Sequence, residues 1–285
     1  MGQVLFVVWR ESFEALLVIG IIYAWIKRHP DAKNGMKYLW GGVALGIVTS
    51  ILLALLIYGV FNVLDDTGQS IFMIFMEILA CILIVQMVYW MNKNGRSMKT
   101  EIESGINRNA QHHSWWGATL IIAIAIAREG SEIVVFLSSF IMSLTAENSN
   151  EFIFEVGTGI VIAAMTLYAF LLTNRIISWN IFFKVTGVIL LFLALSLLLK
   201  GVEEISNLMI EFDYPIPEFL IYPAWDTTAF LDDSGVAGNF ISSFFAYRSQ
   251  PIWLSVITFV VYWVVVITLF AWGKHHATKQ RLQNA

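Results

Sequence analysis

Seven long apolar stretches divide the chain, and they constrain its fold more than any other feature of the sequence. Each holds 20 residues or more, enough at about 1.5 Å per residue to cross about 30 Å of hydrocarbon. The stretches lie at 3–26, 39–61, 71–91, 116–143, 152–174, 183–204 and 252–273. A helix satisfies its own backbone polar groups inside a bilayer. The pattern therefore predicts an all-α, polytopic membrane protein with seven transmembrane helices.

The composition excludes several other classes of protein. Only 13% of the residues are charged and 58% are hydrophobic, whereas soluble domains carry about 25% charged residues. This excludes an ordinary soluble enzyme, a disordered chain and a nucleic-acid-binding protein. The single cysteine, Cys81, cannot form an internal disulfide or a thiolate cluster. No basic residue precedes Arg10, so we expect the first stretch to be a retained span rather than a cleaved signal peptide.

The basic residues predict the orientation of the chain. Thirteen of the 17 fall in connections that share one side of the membrane, and the opposite side holds only Arg248. The thirteen are Lys27, Arg28, Lys33, Lys37, Lys93, Arg96, Lys99, Arg108, Arg175, Lys184, Lys274, Lys279 and Arg281. Because cytoplasmic connections are enriched in Lys and Arg, we expect the N-terminus outside and the C-terminus inside. Residues 1–285 then form a single transmembrane domain.

The other three basic residues lie inside spans, and two of them begin a repeated motif. The first span contains Arg10-Glu11-Ser12-Phe13-Glu14, and the fourth contains Arg128-Glu129-Gly130-Ser131-Glu132, 118 positions later. A charged side chain at bilayer depth costs a few kcal/mol. Both motifs are therefore candidate functional sites.

The motif spacing predicts how these charges are arranged. Residues three apart share a helix face, and residues four apart are neighbours. The two glutamates of each motif therefore point the same way, and each arginine reaches its own second glutamate. If the two faces meet, Glu11, Glu14, Glu129 and Glu132 converge, with Arg10 and Arg128 as positioning residues. Oxygen ligands of this kind suit a hard cation. A purely structural role, in which ion pairs lock the helices together, remains open.

The offset between the motifs also predicts an internal duplication. Residues 1–91 would form one three-helix repeat, 116–204 a second, and 252–273 a seventh helix. Three spans is an odd number, so the second repeat would be inverted relative to the first, a common transporter design with a polar site near the midplane. The connection 205–251 carries most of the acids predicted to lie outside, and we expect it to form an ordered external loop.

Other acidic residues are secondary candidates. Glu77, alone in the third span, either relays a cation or proton or is a buried carboxylate bonded to a neighbouring helix. Glu203 and Glu204 end the sixth span and are candidates for lining an entrance. Asp65 and Asp66 either capture metal at the mouth or form a solvated turn.

At the two motifs the chain resembles the oxidase-dependent iron transporter family, which includes fungal high-affinity iron permeases and bacterial ferrous-iron permeases. That family carries Arg-Glu-x-x-Glu, usually Arg-Glu-Gly-Leu-Glu, in its first and fourth spans. The segment Lys200-Gly201-Val202-Glu203-Glu204 also looks like the end of the family's sixth span. Ala246-Tyr247-Arg248-Ser249-Gln250-Pro251 is similar to its approach to the seventh.

The resemblance implies iron uptake across the plasma membrane. Ferrous iron would be oxidised outside, and ferric iron, the transported substrate, would pass the four motif carboxylates. It implies a separate oxidase: a multicopper oxidase in fungi, or periplasmic cupredoxin-like or haem-containing proteins that also deliver iron in bacteria. The short connections favour a bacterial inner membrane. The chain would then be a transporter surrounded by lipid, with no enzymatic activity and no nucleic-acid partner.

Three alternatives stay open from the residues alone. One is a carrier or exporter of another hard divalent cation, such as manganese. A second is an intramembrane hydrolase that uses paired carboxylates to activate water, which is disfavoured because all five histidines lie in predicted loops or tails. A third is a structural scaffold, which is disfavoured by the cost of placing charges inside spans.

Overall fold

The computed structural model describes residues 2–28, 35–94, 115–144, 148–172, 179–233 and 235–283. These ranges contain helices and no strand, apart from one isolated bridge between Pro223 and Ile252, which confirms the all-α prediction. The helices are α1 (Gln3–Arg28), α2 (Gly35–Val63), α3 (Asp66–Asn94), α4 (Trp115–Met142), α5 (Ser149–Leu172), α6 (Trp179–Glu211), α7 (Glu218–Ile221), α8 (Val236–Phe245) and α9 (Trp253–Gln283).

Five of these helices are long and apolar enough to cross a membrane. The qualifying segments are Gly35–Val63, Asp66–Asn92, Ser149–Ala169, Ile181–Glu211 and Trp253–Gly273. The helices α1 and α4 have 26 and 28 residues and differ from these five because each carries the three charged residues of a motif. The chain is a multi-pass membrane protein. The basic residues of 29–34, 95–114 and 173–178, used to predict orientation, lie outside the described residues.

The chain divides into two compact units. The first comprises residues 1–69 and 96–179 and contains α1, α2, α4 and α5. The second comprises 70–95 and 180–285 and contains most of α3 and α6 together with α7, α8 and α9.

In the first unit, α2 packs very closely on α4. A β-carbon added to Gly46 would lie 2.7 Å from Ile126 Cβ and 3.0 Å from the Ala123 carbonyl oxygen. One turn earlier, a β-carbon on Gly42 would lie 2.8 Å from the Thr119 carbonyl oxygen. Small residues let helix backbones approach in this way inside membranes. Residue numbers rise together along the contact, so α2 and α4 run in the same direction.

The helices α1 and α5 form a similar pair in the first unit. A β-carbon on Gly159 would lie 3.0 Å from the Leu5 carbonyl oxygen and 3.1 Å from Val8 Cβ. Further along the pair, Trp9 Nε1 donates a 3.1 Å hydrogen bond to Thr166 Oγ1. These helices also run in the same direction.

Apolar side chains from α1, α2 and α4 join in one buried cluster beyond the motif in α1. Its members are Val18, Ile22, Trp25, Ile26, Leu39, Val43, Ile122 and Ile126. Burying this much apolar side chain links the three helices and holds α1 against α4.

The second unit is held by aromatic and polar contacts among its long helices. Tyr262 Oη in α9 donates a 2.6 Å hydrogen bond to the Leu191 carbonyl of α6. The rings of Phe192 and Trp263 have centroids 4.9 Å apart. The Tyr89 ring of α3 meets the Phe270 ring of α9 edge-on, at 5.7 Å.

The connection between α6 and α9 is ordered by its own hydrogen bonds. Tyr247 Oη donates to the Leu231 carbonyl at 3.0 Å and lies 2.6 Å from Thr227 Oγ1. The helix α8 ends at Ala246, whose φ of 57° is left-handed. Ser196 Oγ of α6 donates to the Ser242 carbonyl at 3.2 Å, which ties α8 to α6.

Candidate metal centre

The first motif forms a deeply buried ion-pair set on α1. Arg10 is 1% exposed, and its Nη1 lies 2.7 Å from Glu11 Oε1. Its Nη2 lies 2.6 Å from Glu14 Oε1, in the predicted i,i+4 pairing. One guanidinium therefore holds both carboxylates of its own helix, because its fork presents several donors at fixed angles.

The second motif is more open. Arg128 Nε lies 3.2 Å from Glu132 Oε1, again in the i,i+4 pairing, but the Arg128 side chain is 40% exposed and that of Glu132 15%. Ser131 Oγ donates back to the Arg128 carbonyl at 2.7 Å. Glu129 is 8% exposed.

The structure brings three of the four predicted motif carboxylates together. One oxygen from each of Glu11, Glu14 and Glu129 lies within 4.8 Å of the other two, and all three residues are buried. Opposite ligands of a small hard cation at about 2.1 Å are about 4.2 Å apart, so a small inward movement would close the set. Glu132 is not part of it, although Glu132 and Arg128 lie close enough to interact electrostatically with Glu14.

Two oxygens of this set have lone pairs to spare. Glu11 Oε2 and Glu129 Oε2 are buried and accept no hydrogen bond from the described residues. A buried carboxylate oxygen without a donor is costly, and a bound cation removes that cost. Four carboxylates and two arginines give a formal charge of −2, so the donor set and its charge both fit a hard cation.

Ser50 is a residue of this site that the sequence did not reveal. A β-carbon on Gly130, inside the second motif, would overlap Ser50 Oγ and lie 2.7 Å from Ser50 Cβ. Ser50 Oγ itself donates to the Gly46 carbonyl at 2.9 Å. The contact fixes how closely α2 approaches the second motif. The sequence signal was the spacing Gly42, Gly46, Ser50, a row of small residues four apart.

The secondary candidate Glu77 is paired within the second unit. Its Oε1 lies 2.8 Å from Lys200 Nζ; the Glu77 side chain is 4% exposed and that of Lys200 54%. The Glu77 carboxylate is thus bonded to a neighbouring helix, which is one of the two alternatives that the sequence left open.

Glu203 and Glu204, near the end of α6, have different partners from each other. Glu203 Oε1 accepts from Arg248 Nε at 3.0 Å, and Arg248 Nη1 donates to Ser242 Oγ at 2.7 Å. Glu204 Oε2 lies 3.4 Å from Asn207 Nδ2. Glu203 therefore anchors the connection that follows α6, whereas Glu204 is partly exposed.

Asp65 and Asp66 lie at the start of α3. Asp65 Oδ1 accepts the Gly68 N–H at 3.0 Å, as a helix cap does. Asp66 is exposed. Both residues form a solvated turn, the more ordinary of the two expectations for them.

Two acids in the connection between α6 and α9 are held ionised by hydrogen bonds. Ser249 Oγ donates to Asp233 at 2.7 Å, and this bond lowers the pKa of the Asp233 carboxyl. Thr228 Oγ1 donates to Asp226 at 2.6 Å and likewise lowers the pKa of Asp226. Both carboxylates therefore keep their negative charge in mildly acidic conditions.

Glu155 is a second residue that the sequence did not single out. It lies in α5 and is 8% exposed, with one buried oxygen, Oε2, that accepts no hydrogen bond from the described residues. An acid near the start of a span is common, and only the packing of α5 on α1 distinguishes this one.

Comparison with known proteins gives one family. The model of the iron permease FTR1 family matches residues 1–277. The chain is similar to the ferrous iron permease EfeU of Yersinia pestis, with 25% identity over 274 residues that cover 93% of this chain and 91% of that protein. It is also similar to the EfeU proteins of Shigella sonnei and Escherichia coli O157:H7, each 25% identical over 267 residues and 92% of both chains. No solved structure matches the chain.

Proposed function

Because the chain belongs to the iron permease FTR1 family, we propose that it takes up iron through the carboxylate set of Glu11, Glu14 and Glu129. Family and relatives make it a transporter and not an enzyme. The observation that carries the proposal is the convergence of these three buried carboxylates within 4.8 Å.

In this proposal each charged residue of the two motifs has its own task. Glu11, Glu14 and Glu129 would ligate iron, as oxygen donors do for hard cations. Arg10 would hold Glu11 and Glu14 in place between transport events, since it lies within 2.7 Å of both. Glu132 and Arg128 are more exposed, so they would meet iron first or last on its way past the set.

We also propose the full seven-span arrangement with an inverted repeat. Two contacts in the first unit support it. Gly46 faces the Ala123 carbonyl oxygen and the β-branched side chain of Ile126. These two residues lie five and two positions before Arg128. Gly159 faces the Leu5 carbonyl oxygen and the β-branched side chain of Val8. These residues also lie five and two positions before an arginine, Arg10. Exchanging α1 with α4 and α2 with α5 therefore maps one helix pair onto the other, as two related halves require.

The proposed location is a bacterial inner membrane with the N-terminus outside and the C-terminus inside. The distribution of Lys and Arg supports this orientation. Parallel packing of α1 with α5, and of α2 with α4, supports the alternation of the seven spans in either orientation, because an odd number of predicted spans lies between the members of each pair.

The oxidation state of the carried iron forms part of the proposal. Ferric iron would pass after ferrous iron is oxidised outside by a separate oxidase, which with iron-delivery proteins would be the partner. The formal charge of −2 on the four carboxylates and two arginines is neutralised by a ferric ion with one hydroxide ligand. A ferrous ion neutralises it as well, so charge balance accepts both states.

The decisive experiment is uptake of radioactive iron in a host that lacks its own iron importers. The variants Glu14→Gln and Glu129→Gln keep side-chain size but remove the charge, and each should reduce uptake about tenfold or more at equal surface abundance. Glu151→Gln, an exposed acid on α5, is the matched control. Uptake that survives both site substitutions would refute the proposed path.

Two further arms of this assay address the finer points. When iron is supplied in the ferric state, a ferrous-specific chelator should leave uptake intact if ferric iron is carried and abolish it if ferrous iron is carried. Manganese uptake by the same cells tests the remaining alternative, because an all-oxygen set accepts both metals. Manganese transport that exceeds iron transport would reassign the substrate.

A further inference from the structure

Glu155 is a buried carboxylate that the proposed iron path does not use. It is 8% exposed, whereas its neighbours Ile153 and Phe154 are 67% and 72% exposed. Glu151, one turn earlier on α5, is exposed as well. Burying a carboxylate costs free energy unless polar groups meet it, so the surroundings of Glu155 must supply them.

Those surroundings are the first turn of α1. Gly159, one turn after Glu155 on the same face of α5, lies against Leu5 and Val8. Leu5 and Val8 thus bring the first turn of α1 against the face of α5 that carries Glu155, and the Leu5 backbone acts on the Glu155 carboxyl as a donor. The first N–H groups of a helix have no partner within the helix, and α1 has no acidic residue in its first turn. Glu155 supplies that missing acid from another helix.

The same face of α5 continues to the first motif. Thr166 accepts a hydrogen bond from Trp9, the residue before Arg10. Ala163, between Gly159 and Thr166, is fully buried. Leu5 precedes Glu11 by six residues, or about 9 Å along a helix. The stretch of α1 that leads to the motif is thus tied to α5 by a polar contact at each end and by a close glycine contact between them.

The pair α2 and α4 is tied near its start by a different polar contact, in which Thr119 Oγ1 donates to the Tyr38 carbonyl at 3.3 Å. On α2 the residue four before its close-contact glycine is Gly42, and it meets α4 only through its backbone. Glu155 is the residue four before Gly159 on α5. The two pairs therefore share a glycine contact, and only α5 places an acidic residue one turn before it.

We propose that Glu155 is a positioning residue that caps α1 from α5. The cap would fix the position of Glu11 and Glu14 along the α1 axis, and so their place in the metal centre. This inference rests on the proposed function of those two carboxylates. Without the cap, the first turn of α1 frays, and the ligands it carries lose their fixed place.

Ferrous iron uptake by cells that express Glu155→Ala, Glu155→Gln and Glu151→Ala tests the inference. At equal surface abundance, Glu155→Ala should raise KM about fivefold, the size expected for loss of one helix cap. Glu155→Gln keeps an acceptor oxygen for the Leu5 N–H and should recover most of that loss. Glu151→Ala should match the native chain.

Two outcomes of this assay would overturn the inference. If Glu155→Gln is as impaired as Glu155→Ala, the residue acts through its charge, as a cation ligand would, and not as a cap. If Glu155→Ala leaves KM unchanged, the cap has no bearing on the site. Should Glu155→Ala fail to reach the membrane, Glu155→Asp keeps the charge but shortens the reach, and its KM should rise in the same way.

Amide hydrogen exchange on the purified full chain in detergent, without iron, gives an independent reading. Exchange at Leu5 and Phe6 should be about fivefold faster in Glu155→Ala than in the native chain, because an uncapped first turn opens more often. Unchanged exchange would overturn the cap even if uptake falls. If the native chain carries no iron, the proposed function fails, and the exchange rates still decide whether Glu155 caps α1.

Discussion

The two copies of the motif have the same charges at the same spacing but very different surroundings. In α1 the arginine is 1% exposed and holds two carboxylates at once. In α4 the arginine side chain is 40% exposed and holds one. The α1 half is therefore a closed ion-pair set, and the α4 half is an open one that contributes Glu129 to the shared centre. The same motif therefore occupies two different environments, and the packing of neighbouring helices decides which of its charged residues are buried.

The largest expected effect comes from the two arginines. Arg10→Gln leaves Glu11 and Glu14 buried without their counter-ion, which should destabilise the protein by about 3–5 kcal/mol. Arg128→Gln breaks a pair that is partly exposed and should cost less than the loss of Arg10. Thermal unfolding followed by fluorescence in detergent measures both. Equal losses would show that the two halves are buried alike in the membrane.

The carboxylates give the next effect. Glu129→Gln removes one of the three converging oxygens and should weaken Mn²⁺ binding about tenfold or more. Glu132→Gln, on the open side, should weaken it about threefold or less, because its oxygen is outside the set. Isothermal titration of the purified protein with Mn²⁺ compares them. A larger loss in Glu132→Gln would mean that the metal centre lies on the α4 half.

The close helix contacts test how each half is held. Gly46→Ala on the α4 side and Gly159→Ala on the α1 side should each cost about 1–3 kcal/mol from overpacking. Gly41→Ala and Gly157→Ala are matched controls, since an added β-carbon meets no atom within 4 Å at either position. Thermal unfolding compares the stability lost at the two contact glycines with the stability lost at the two control glycines. Controls as damaging as the contact glycines would point to backbone flexibility as the cause.

Gly130 offers a rescue on the open half. Gly130→Ala should cost about 1–3 kcal/mol because its β-carbon meets Ser50. Adding Ser50→Gly removes the atoms it meets and should restore most of the stability and of the iron uptake. The double variant is compared with Ser50→Gly alone. If the second substitution gives no recovery, Ser50 does not set the approach of α2 to the motif.

The smallest expected effect is on the pH dependence of stability, and it comes from Asp233, which lies outside both motif halves. Hydrogen bonds from Ser249 lower the pKa of Asp233, so its contribution to stability is full above the pKa of the unfolded chain. That contribution is lost as the pH falls through the lowered, folded value. Asp233→Asn should flatten this part of the stability profile at pH below about 4. A profile that keeps its slope would locate the acid response in another group.

Much of this arrangement follows from residue spacing. The positions of Arg10 and Glu14, and of Arg128 and Glu132, predict i,i+4 ion pairs, and both pairs are present. The apolar stretches predict long helices, and the helices lie where the stretches do. Spacing is sufficient here because an i,i+4 ion pair and the extent of a long apolar helix both depend only on the geometry of a single helix.

What the sequence does not reveal depends on which helices touch. The exposure of Arg128 and the separation of Glu132 from the other three carboxylates are set by neighbours on other helices. Ser50 and Glu155 are ordinary residues in their own helices, and they gain roles only from the close approach of α2 to α4 and of α5 to α1. The row of small residues Gly42, Gly46 and Ser50 marks a close helix contact in the sequence, but it does not say which helix it meets.

The bond between Glu203 and Arg248 has a consequence for how the protein is made. The two residues are 45 positions apart, so at about 5–20 residues per second Glu203 is synthesised several seconds before its partner exists. During that interval α6 must be inserted with a bare carboxylate at its end. A ribosome that pauses between the two, or a chain cut short there, leaves Glu203 without its contact to Arg248.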